Sequence, residues 1–490
     1  MFKLKLVSAF EAKLLNSYPL TKKFISYIPP SILEKLSEIK AYEMYKLAKE
    51  NVPAYKKFLR QKKPKSIIEV PQTDKKNYIS KFNYEDRCQD GKFPKKGNVD
   101  ESSGSSGTPT NWIRGVEEED LLFKAAKFEF YYTFNAHKID YITLSAWSSG
   151  PWATGVKFCE LLEHYTLVKN TTPDIKNIIK SLKTFGKKYN YIIGGYPPFL
   201  KQLFDARGVK WKDYNINIIT GGESTPIEWK EHIRHKLRDN AIIISSYGAS
   251  DLDIGIGFET PFSEFIRVLT KKDPKLNKEL FKTDFNPMLF QFNPLMHYIE
   301  NTNKKDFTVT TLDPTVASPK VKYNIHDEGG KVTYSHMLKV LKKEKPKELK
   351  KFLKKNKTLK LPFLYVLSRC DGTISLDGAN IYPEQIEIAI DSNQKTAKET
   401  NRFMMQKRYK KNEDVEFNIF IELKAKIKPT KELEKTFKNT IRKGLIKLNK
   451  DYKESYEKNK KLAPNIKFYQ YNKNDIFKKQ NKRIKNKYIL

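Results

Sequence analysis

Eight residues, Ser102-Ser103-Gly104-Ser105-Ser106-Gly107-Thr108-Pro109, combine short hydroxyls with two glycines. Glycine tolerates positive φ and carries no Cβ, so successive backbone N–H groups in such a stretch can turn toward one polyphosphate. The lysine that completes the Gly-x-x-x-x-Gly-Lys phosphate loop is missing, and a Ser/Gly run is by composition also a flexible linker. Nothing inside the stretch decides between cradle and linker. Three further stretches hold residue types suited to chemistry. Ala146-Trp147-Ser148-Ser149-Gly150-Pro151-Trp152-Ala153-Thr154-Gly155 sets two tryptophans among small residues, which suits the wall of a substrate pocket or simple burial. Gly221-Gly222-Glu223-Ser224 and Tyr247-Gly248-Ala249-Ser250-Asp251 are polar, glycine-containing turns, each of which, taken alone, reads as ordinary turn chemistry.

The elements that must position these stretches follow from hydrophobic patterning. Leu33, Leu36, Ile39, Met44 and Leu47 predict a helix from Ser31 to Asn51, ended by Val52-Pro53. Pro71-Gln72-Thr73-Asp74-Lys75 reads as a turn entering another helix. Glu117 to Phe134 is a helix-like segment with core aromatics, and Tyr141 to Ser145 a strand leading into the tryptophan loop. From there extended and helical segments alternate: Tyr189 to Ile193, Pro198 to Phe204, Ile216 to Thr220, Ile227 to Leu237, Ala241 to Ser245. The short strands are near-continuous apolar runs, as expected of parallel or mixed strands covered on both faces. Ligands bind such sheets beyond the carboxyl ends of the strands, which is where Gly221–Ser224 and Tyr247–Asp251 fall. His297 to Glu300 and Phe307 to Leu312 read as paired strands, and Val332 to Leu361 as a lysine-rich, solvated helical insertion broken at Pro346. Past a boundary near Asp371 the chain starts afresh, with a strand from Val415 to Lys426, a helical stripe of Leu433, Phe437, Ile441, Leu445 and Leu448, and a strand from Ile466 to Tyr471. The expected architecture is therefore α/β: a large N-terminal domain with mixed parallel sheets and packed helices over 1–370, and a small C-terminal α+β domain over 371–490.

Bulk properties narrow the partners. The 490 residues carry 93 Lys plus Arg against 57 Asp plus Glu, a formal charge of +36, which suggests nucleic acid or an anionic membrane. Abundant Lys, Ile, Asn and Tyr spread along the chain give the alternative, a compositional bias of an A/T-rich genome, and such a field still attracts polyanions such as ATP or coenzyme A. No stacking motif or helix-turn-helix signature supports nucleic acid. Cys88, Cys159 and Cys370 are far apart and form no Cys-x-x-Cys pair, so neither a disulfide framework nor a cysteine zinc site is indicated. The N-terminus lacks an uninterrupted apolar core of signal-peptide length, and no transmembrane segment is legible. The reading is a soluble cytoplasmic protein of undetermined oligomeric state.

Five stretches in order give the chain a family resemblance from about Ile39 to the C-terminus. Ser102 to Pro109 matches [ST]-S-G-[ST]-T-G-x-P, followed by Thr110. Gly222-Glu223-Ser224 resembles a Gly-Ala-Glu-Pro adenine loop. Tyr247 to Asp251 matches Tyr-Gly-x-[ST]-Glu with aspartate for glutamate. Pro319 to Asp327 fits Pro-Leu-Ile-Arg-Tyr-Arg-Thr-Gly-Asp in length, sharing Pro319, Tyr323 and Asp327. Ser368-Arg369-Cys370-Asp371, with Gly378, Ile381, Pro383 and Glu387, is similar to Gly-Arg-x-Asp-Asp…Gly-x-x-[IV]-x-Pro-x-x-[IV]-Glu. The pattern resembles the adenylate-forming superfamily of acyl-CoA synthetases, adenylation domains and luciferases, and most closely its phenylacetate-CoA ligase-like branch. Ser368, Ile325-His326 and Asp251 depart from it.

The resemblance implies a two-step reaction. A carboxylate attacks the α-phosphate of ATP to give acyl-adenylate and pyrophosphate, and a thiol, usually that of coenzyme A, takes the acyl group; a carrier-protein thiol or an amine is the other acceptor. It implies that Ser102, Ser103, Gly104, Ser105, Ser106 and Gly107 bind phosphates, that Gly222, Glu223, Ser224, Tyr247, Gly248 and Ser250 line the nucleotide site, and that Asp251 holds Mg²⁺. Asp327 would take the ribose hydroxyls with Arg369 nearby. Trp147, Trp152, Gly222 and Tyr247 would line the pocket of a small-molecule carboxylic acid. Asp371 would be the hinge of a mobile C-terminal domain, and Lys482 or Lys485 the lysine of the adenylation step. The alternative is a degenerate member that binds nucleotide or nucleic acid without catalysis.

Overall fold

The computed structural model describes residues 2–102, 110–149, 153–369, 374–410, 414–471, 473 and 477. The chain divides into two compact units, one of Met1–Glu101, Asn111–Gly195 and Ala206–Ser368, the other of Ser102–Thr110, Tyr196–Asp205 and Arg369–Leu490.

The strands in chain order are β1 (Gly97–Ser102), β2 (Thr110–Gly115), β3 (Tyr141–Ser145), β4 (Leu167–Asn170), β5 (Asn190–Gly195), β6 (Asn215–Gly221), β7 (Ile243–Ala249), β8 (Asp253–Phe258), β9 (Met288–Gln291), β10 (His297–Asn301), β11 (Phe307–Thr311), β12 (Asp327–Val332), β13 (Phe363–Arg369), β14 (Ile374–Leu376), β15 (Ala379–Ile381), β16 (Thr400–Tyr409), β17 (Val415–Leu423) and β18 (Asn465–Tyr469). The first unit is built on a nine-stranded sheet of order β12-β13-β9-β8-β7-β6-β5-β3-β4. From β4 to β7 neighbouring strands pair in parallel, and β8 pairs antiparallel with both β7 and β9. The parallel strands are the near-continuous apolar runs of the sequence: every residue of β3 is buried, as are Tyr191 to Gly195 and Ile216 to Gly221. Long connections carrying helices are what parallel pairing requires, and Ala153–Glu163, Ile175–Phe185, Pro197–Phe204 and Ile227–Lys236 lie in those connections. A second core, which includes Met44, Tyr55, Trp112, Ile299, Val309 and Tyr323, joins the helix Pro30–Asn51 to the antiparallel pair β10–β11.

Two expectations fail for identifiable reasons. No α-helix follows Asp74. Thr73 instead donates its N–H to the Lys322 carbonyl and accepts from Asn324, while Asp74 and Asn77 exchange side-chain-to-backbone bonds of 2.6 and 2.8 Å. Those bonds close a tight turn that ends in a single 3₁₀ turn, Ile79–Lys81. The lysine-rich segment is helical over Tyr334–Glu344 and Pro346–Lys355, with the break where Pro346 puts it, but it is not a solvated insertion. Tyr334, Met337, Val340, Leu341 and Leu349 are buried in a core with Phe262, Ile266, Leu280 and Phe281, and the lysines occupy the other face.

In the second unit β16, β17 and β18 form a sheet, antiparallel between the first two and parallel between the last two. Its core gathers Ile374, Ile386, Phe403, Ile419, Ile421, Leu433, Phe437, Ile441 and Leu445, the last four lying on or beside the stripe read from the sequence. β14 and β15 are joined through Asp377 and Gly378 at φ 51° and 86°, the two left-handed positions of a type I′ hairpin turn. No described helix is long and apolar enough to cross a membrane.

Candidate functional site

β6 and β7 run parallel with Thr220 opposite Ser245 and Gly221 opposite Ser246, so the two turns that follow them leave the sheet at the same edge. Gly222, left-handed at φ 72°, and Ser224 are exposed and Glu223 is half-buried. Along β7, Gly248 is fixed by space: a Cβ there would stand 2.3 Å from the Ile254 carbonyl oxygen. The pairing with β8 shifts register between Tyr247 and Ala249, a bulge that re-aims the side chains on either side of it.

Tyr247 and Asp251 are four residues apart, and so are Tyr323 and Asp327. The two segments brace each other crosswise. The Tyr247 hydroxyl donates to Asp327 Oδ2 at 2.6 Å, and the Tyr323 hydroxyl donates to Asp251 Oδ2 at 2.8 Å. Hydrogen bonds to carboxylates are stronger than neutral ones, so this crossing locks the β7 turn to the start of β12. Tyr323 is fully buried and Asp327 8% exposed, whereas Tyr247 is half-buried against Phe290 and Phe307, ring centroids 5.6 and 6.3 Å away. The second oxygen of Asp251 faces a cation, with Lys75 Nζ at 3.2 Å. Lys75 also lies 5.6 Å from the centre of the Trp112 ring.

A buried ionic network stands behind the β7 turn. Trp112 and Arg114, two apart on β2, are both buried. Arg114 donates Nη2 to the Ser250 carbonyl at 2.9 Å, Nη1 to the Leu252 carbonyl at 2.8 Å, and Nε to Asp100 Oδ2 on β1 at 2.7 Å. Lys157 Nζ is 3.2 Å from the same Asp100 oxygen and also pairs with Glu119. Glu118 accepts from the Ala317 N–H at 2.5 Å and lies 3.7 Å from Arg114. Burial pushes its carboxyl up to about 7. Lys320, which donates to the Ser318 carbonyl at 2.8 Å, is pushed down to about 7 by burial and by the neighbouring Arg114 and Arg87. β1 and β2, which pair with each other, flank the Ser/Gly stretch, so the cations tie the strands on either side of it to the turn that carries Asp251.

A second network holds the turn after β6. Glu259 accepts from Lys230 at 2.5 Å, from Arg267 at 2.8 Å and from the Ser245 N–H at 2.9 Å. Arg267 in turn donates to the Thr225 carbonyl at 2.9 Å. Burial would raise the Glu259 carboxyl, but the two cations hold it below the usual carboxylate range.

No protein-family model matches the sequence, and no curated protein matches it. Solved structures do. A 2-hydroxyisobutyryl-CoA ligase in complex with 2-HIB-AMP and CoA, in the thioesterification state, superposes with a TM-score of 0.64 at 12% identity, over 96% of this chain and 91% of that one. An open conformation of the same enzyme gives 0.53 at 13% identity, over 95% and 93%. The chain has the adenylate-forming ligase fold.

Within that fold the described residues bring together three of the segments singled out in the sequence. Gly222, Glu223 and Ser224 leave the sheet beside Tyr247, Gly248 and Ser250, and Asp251 and Asp327 are joined to one another's segments by the crossed tyrosines. Ser102 ends β1. Trp147 is buried and packs edge-on to Phe158 at 5.9 Å. Arg369 is described only as the last residue of β13. Ser103, Gly104, Ser105, Ser106, Gly107, Trp152, Asp371, Lys482 and Lys485 lie outside the described residues. Sequence reasoning missed Lys75, Arg114, Glu118 and Glu259. A signal existed for Arg114, a charge two residues from Trp112 on a strand that alternates inward and outward; the others meet their partners only through tertiary contacts.

Proposed function

We propose that this chain is an ATP-dependent ligase that joins a carboxylic acid to AMP, releases pyrophosphate, and passes the acyl group to the thiol of coenzyme A. The observation that carries the reading is the crossed Tyr247–Asp327 and Tyr323–Asp251 pair at the carboxyl edge of the parallel strands, in a fold shared with an acyl-CoA ligase. In the first step a substrate carboxylate oxygen bonds to the α-phosphorus and the bond to the bridging oxygen of pyrophosphate breaks. In the second the thiolate adds to the acyl carbon and AMP departs with the oxygen it had bonded.

Asp327, with Oδ2 already oriented by Tyr247, is the acceptor for the ribose hydroxyls, and Gly222, Glu223 and Ser224 form the wall beside the base. Ser102 to Gly107 supply N–H and hydroxyl donors to the β- and γ-phosphates. Lys75, 3.2 Å from Asp251 Oδ1, brings a cation to the turn after β7. Mg²⁺ would be held by Asp251, a hard oxygen ligand; among the described residues no group of three His, Cys, Asp or Glu could hold a metal by itself. When bound, Mg²⁺ neutralises charge on the phosphates. Lys482 or Lys485 serves the adenylation step as the smaller domain turns about Asp371, with Arg369 near the ribose. Trp147, Trp152, Gly222 and Tyr247 favour an aromatic or otherwise apolar acid, in keeping with the phenylacetate-CoA ligase-like branch and a cytoplasmic enzyme.

A pyrophosphate-release screen over a carboxylic-acid library, with ATP and Mg²⁺, tests the reading. The native chain should respond to at least one acid, and Asp327→Ala should lower the rate about 100-fold. Coenzyme A thioester should then appear; its absence with intact pyrophosphate release points to a carrier thiol or an amine. Silence across the library alongside measurable ATP binding would replace the ligase reading with a nucleotide-binding one.

A further inference from the structure

Folding does not explain the outward side of the first two helices, Phe2–Asn16 and Tyr18–Tyr27. On the second helix Tyr18, Thr21 and Ile25 face inward and are buried, Tyr18 and Ile25 in one core with Leu33, Phe128 and Leu295. Opposite them stand Leu20 and Tyr27, 58% and 75% exposed. Phe24 lies between them at spacings of four and three, half-buried with its inner side packed on that core. Phe10 of the preceding helix, 57% exposed, meets Phe24 edge-on at 6.4 Å and extends this apolar stripe.

Along these two helices the exposed charge of the described residues has one sign. Lys13 and Lys23, each three residues beyond an exposed apolar side chain, are themselves exposed. Residues 1–30 hold five lysines and a single acid, Glu11. That acid is turned away from solvent and neutralised by the buried Lys40. A purely solvated face gives no reason for exposed Leu20, Phe10 and Tyr27, and a phosphate backbone gains nothing from them. An anionic lipid surface uses both halves of the pattern, since apolar side chains enter the acyl boundary while lysines snorkel to the headgroups.

We propose that the first two helices dock the chain on anionic lipid bilayers, lying in the interface with Phe10, Leu20 and Tyr27 inserted and Lys13 and Lys23 at the lipid phosphates. The chain then rests on a membrane without crossing it. The site is remote in sequence from the residues assigned to adenylation, so docking and turnover are separable.

The test is co-sedimentation of the full chain with phosphatidylcholine vesicles containing about a third phosphatidylserine, against pure phosphatidylcholine. The expected result is at least about tenfold stronger partitioning onto the anionic vesicles, reduced at least about tenfold both by Leu20→Ser/Tyr27→Ser and by Lys13→Glu/Lys23→Glu. All four positions are exposed, so the thermal midpoint should not move. Equal binding to neutral vesicles, or anionic binding untouched by Leu20→Ser/Tyr27→Ser, would overturn the proposal, the latter by assigning adsorption to the overall +36 charge. Self-association without vesicles that disappears in Leu20→Ser/Tyr27→Ser would also overturn it, giving the stripe to a second copy of the chain. So would RNA binding lost in Lys13→Glu/Lys23→Glu with no partitioning onto vesicles.

Discussion

Glu259 lies under the turn after β6 and Glu118 under the strands that flank the Ser/Gly stretch, and both are almost wholly withdrawn from water. Their ionisation nevertheless differs. Glu259 touches two cations and a backbone N–H at 2.5 to 2.9 Å and is held below the carboxylate range. Glu118 accepts from backbone N–H groups but has no cation in direct contact, the nearest arginine standing at 3.7 Å with its Nε committed to Asp100, and burial carries it up to about 7. Cations in direct contact, more than depth, decide whether a buried carboxylate stays charged. One side of the site thus rests on a fixed ionic clamp and the other on a group that exchanges its proton near neutrality.

The sharpest way to break this comparison is to neutralise each carboxylate in turn. Glu259→Gln keeps the shape but leaves Lys230 and Arg267 buried without their shared counter-charge, and should cost about 3–5 kcal/mol in urea denaturation. Glu118→Gln should cost no more than about 1 kcal/mol near neutrality, because much of the native population already carries a proton there. Equal losses would mean that Glu118 is clamped as firmly as Glu259.

The pH dependence sharpens the same contrast. Glu118 binds its proton more tightly folded than unfolded, so its contribution is present below the ordinary 4.5 and is lost as pH rises through about 7. Glu259 has the opposite sign, its contribution being present above 4.5 and lost as pH falls below it. Glu118→Gln should therefore flatten the decline in stability between those two pH values, while Glu259→Gln should remove part of the acid-side loss. Denaturation midpoints followed from about pH 3 to about pH 7 distinguish the two; a Glu118→Gln profile parallel to that of the native chain would remove the proton-labile side.

The crossed tyrosines come next in size. Tyr323→Phe takes a donor from Asp251 in the core and should cost about 1.5–3 kcal/mol, the range for bonds to charged groups. Tyr247→Phe, at a half-exposed ring, should cost less stability and instead raise the KM for ATP, since it frees the carboxylate assigned to the ribose. If Tyr247→Phe proves the more destabilising of the two with ATP use unchanged, the brace is structural on both sides.

What was legible in the sequence followed from distance along the chain. Tyr247, Asp251 and Asp327 stand out within short motifs, and the β10–β11 pair and the stripe from Leu433 to Leu445 need only local patterning. The crossing of the two Tyr-x-x-x-Asp segments joins residues more than 70 apart, and Arg114 reaches the Ser250 carbonyl across 136; no periodicity encodes such contacts. The segment after Asp74 misleads because its Thr-Asp pair satisfies a helix cap and an Asx turn equally well, and the bond from Asn324 to the Thr73 carbonyl settles it. In Tyr334–Lys355 the lysines outnumber the apolar residues, and a stripe of one residue per turn still suffices to bury the helix.

The smallest effect expected belongs to His326. The resemblance puts glycine there, and the structure supplies the reason, a backbone at φ 63°, which costs a side-chain-bearing residue about 1 kcal/mol. What histidine adds is a contact from Nε2 to Asp74 Oδ2 at 3.4 Å. Burial would raise the Asp74 carboxyl, but the His326 contact and the Asn77 N–H keep it below its usual value. Its contribution is present above the ordinary 3.8 and lost as pH falls through the depressed value. His326→Gly relieves the backbone, gives the unfolded chain more freedom and removes the contact, so the net change should stay within about 0.5 kcal/mol at neutral pH. The difference between the two proteins should shift with acid, because only the native chain has the imidazole–Asp74 contact to lose. Urea midpoints at about pH 6 and about pH 3 read that shift; an identical difference at both would leave His326 with the backbone cost and no electrostatic return.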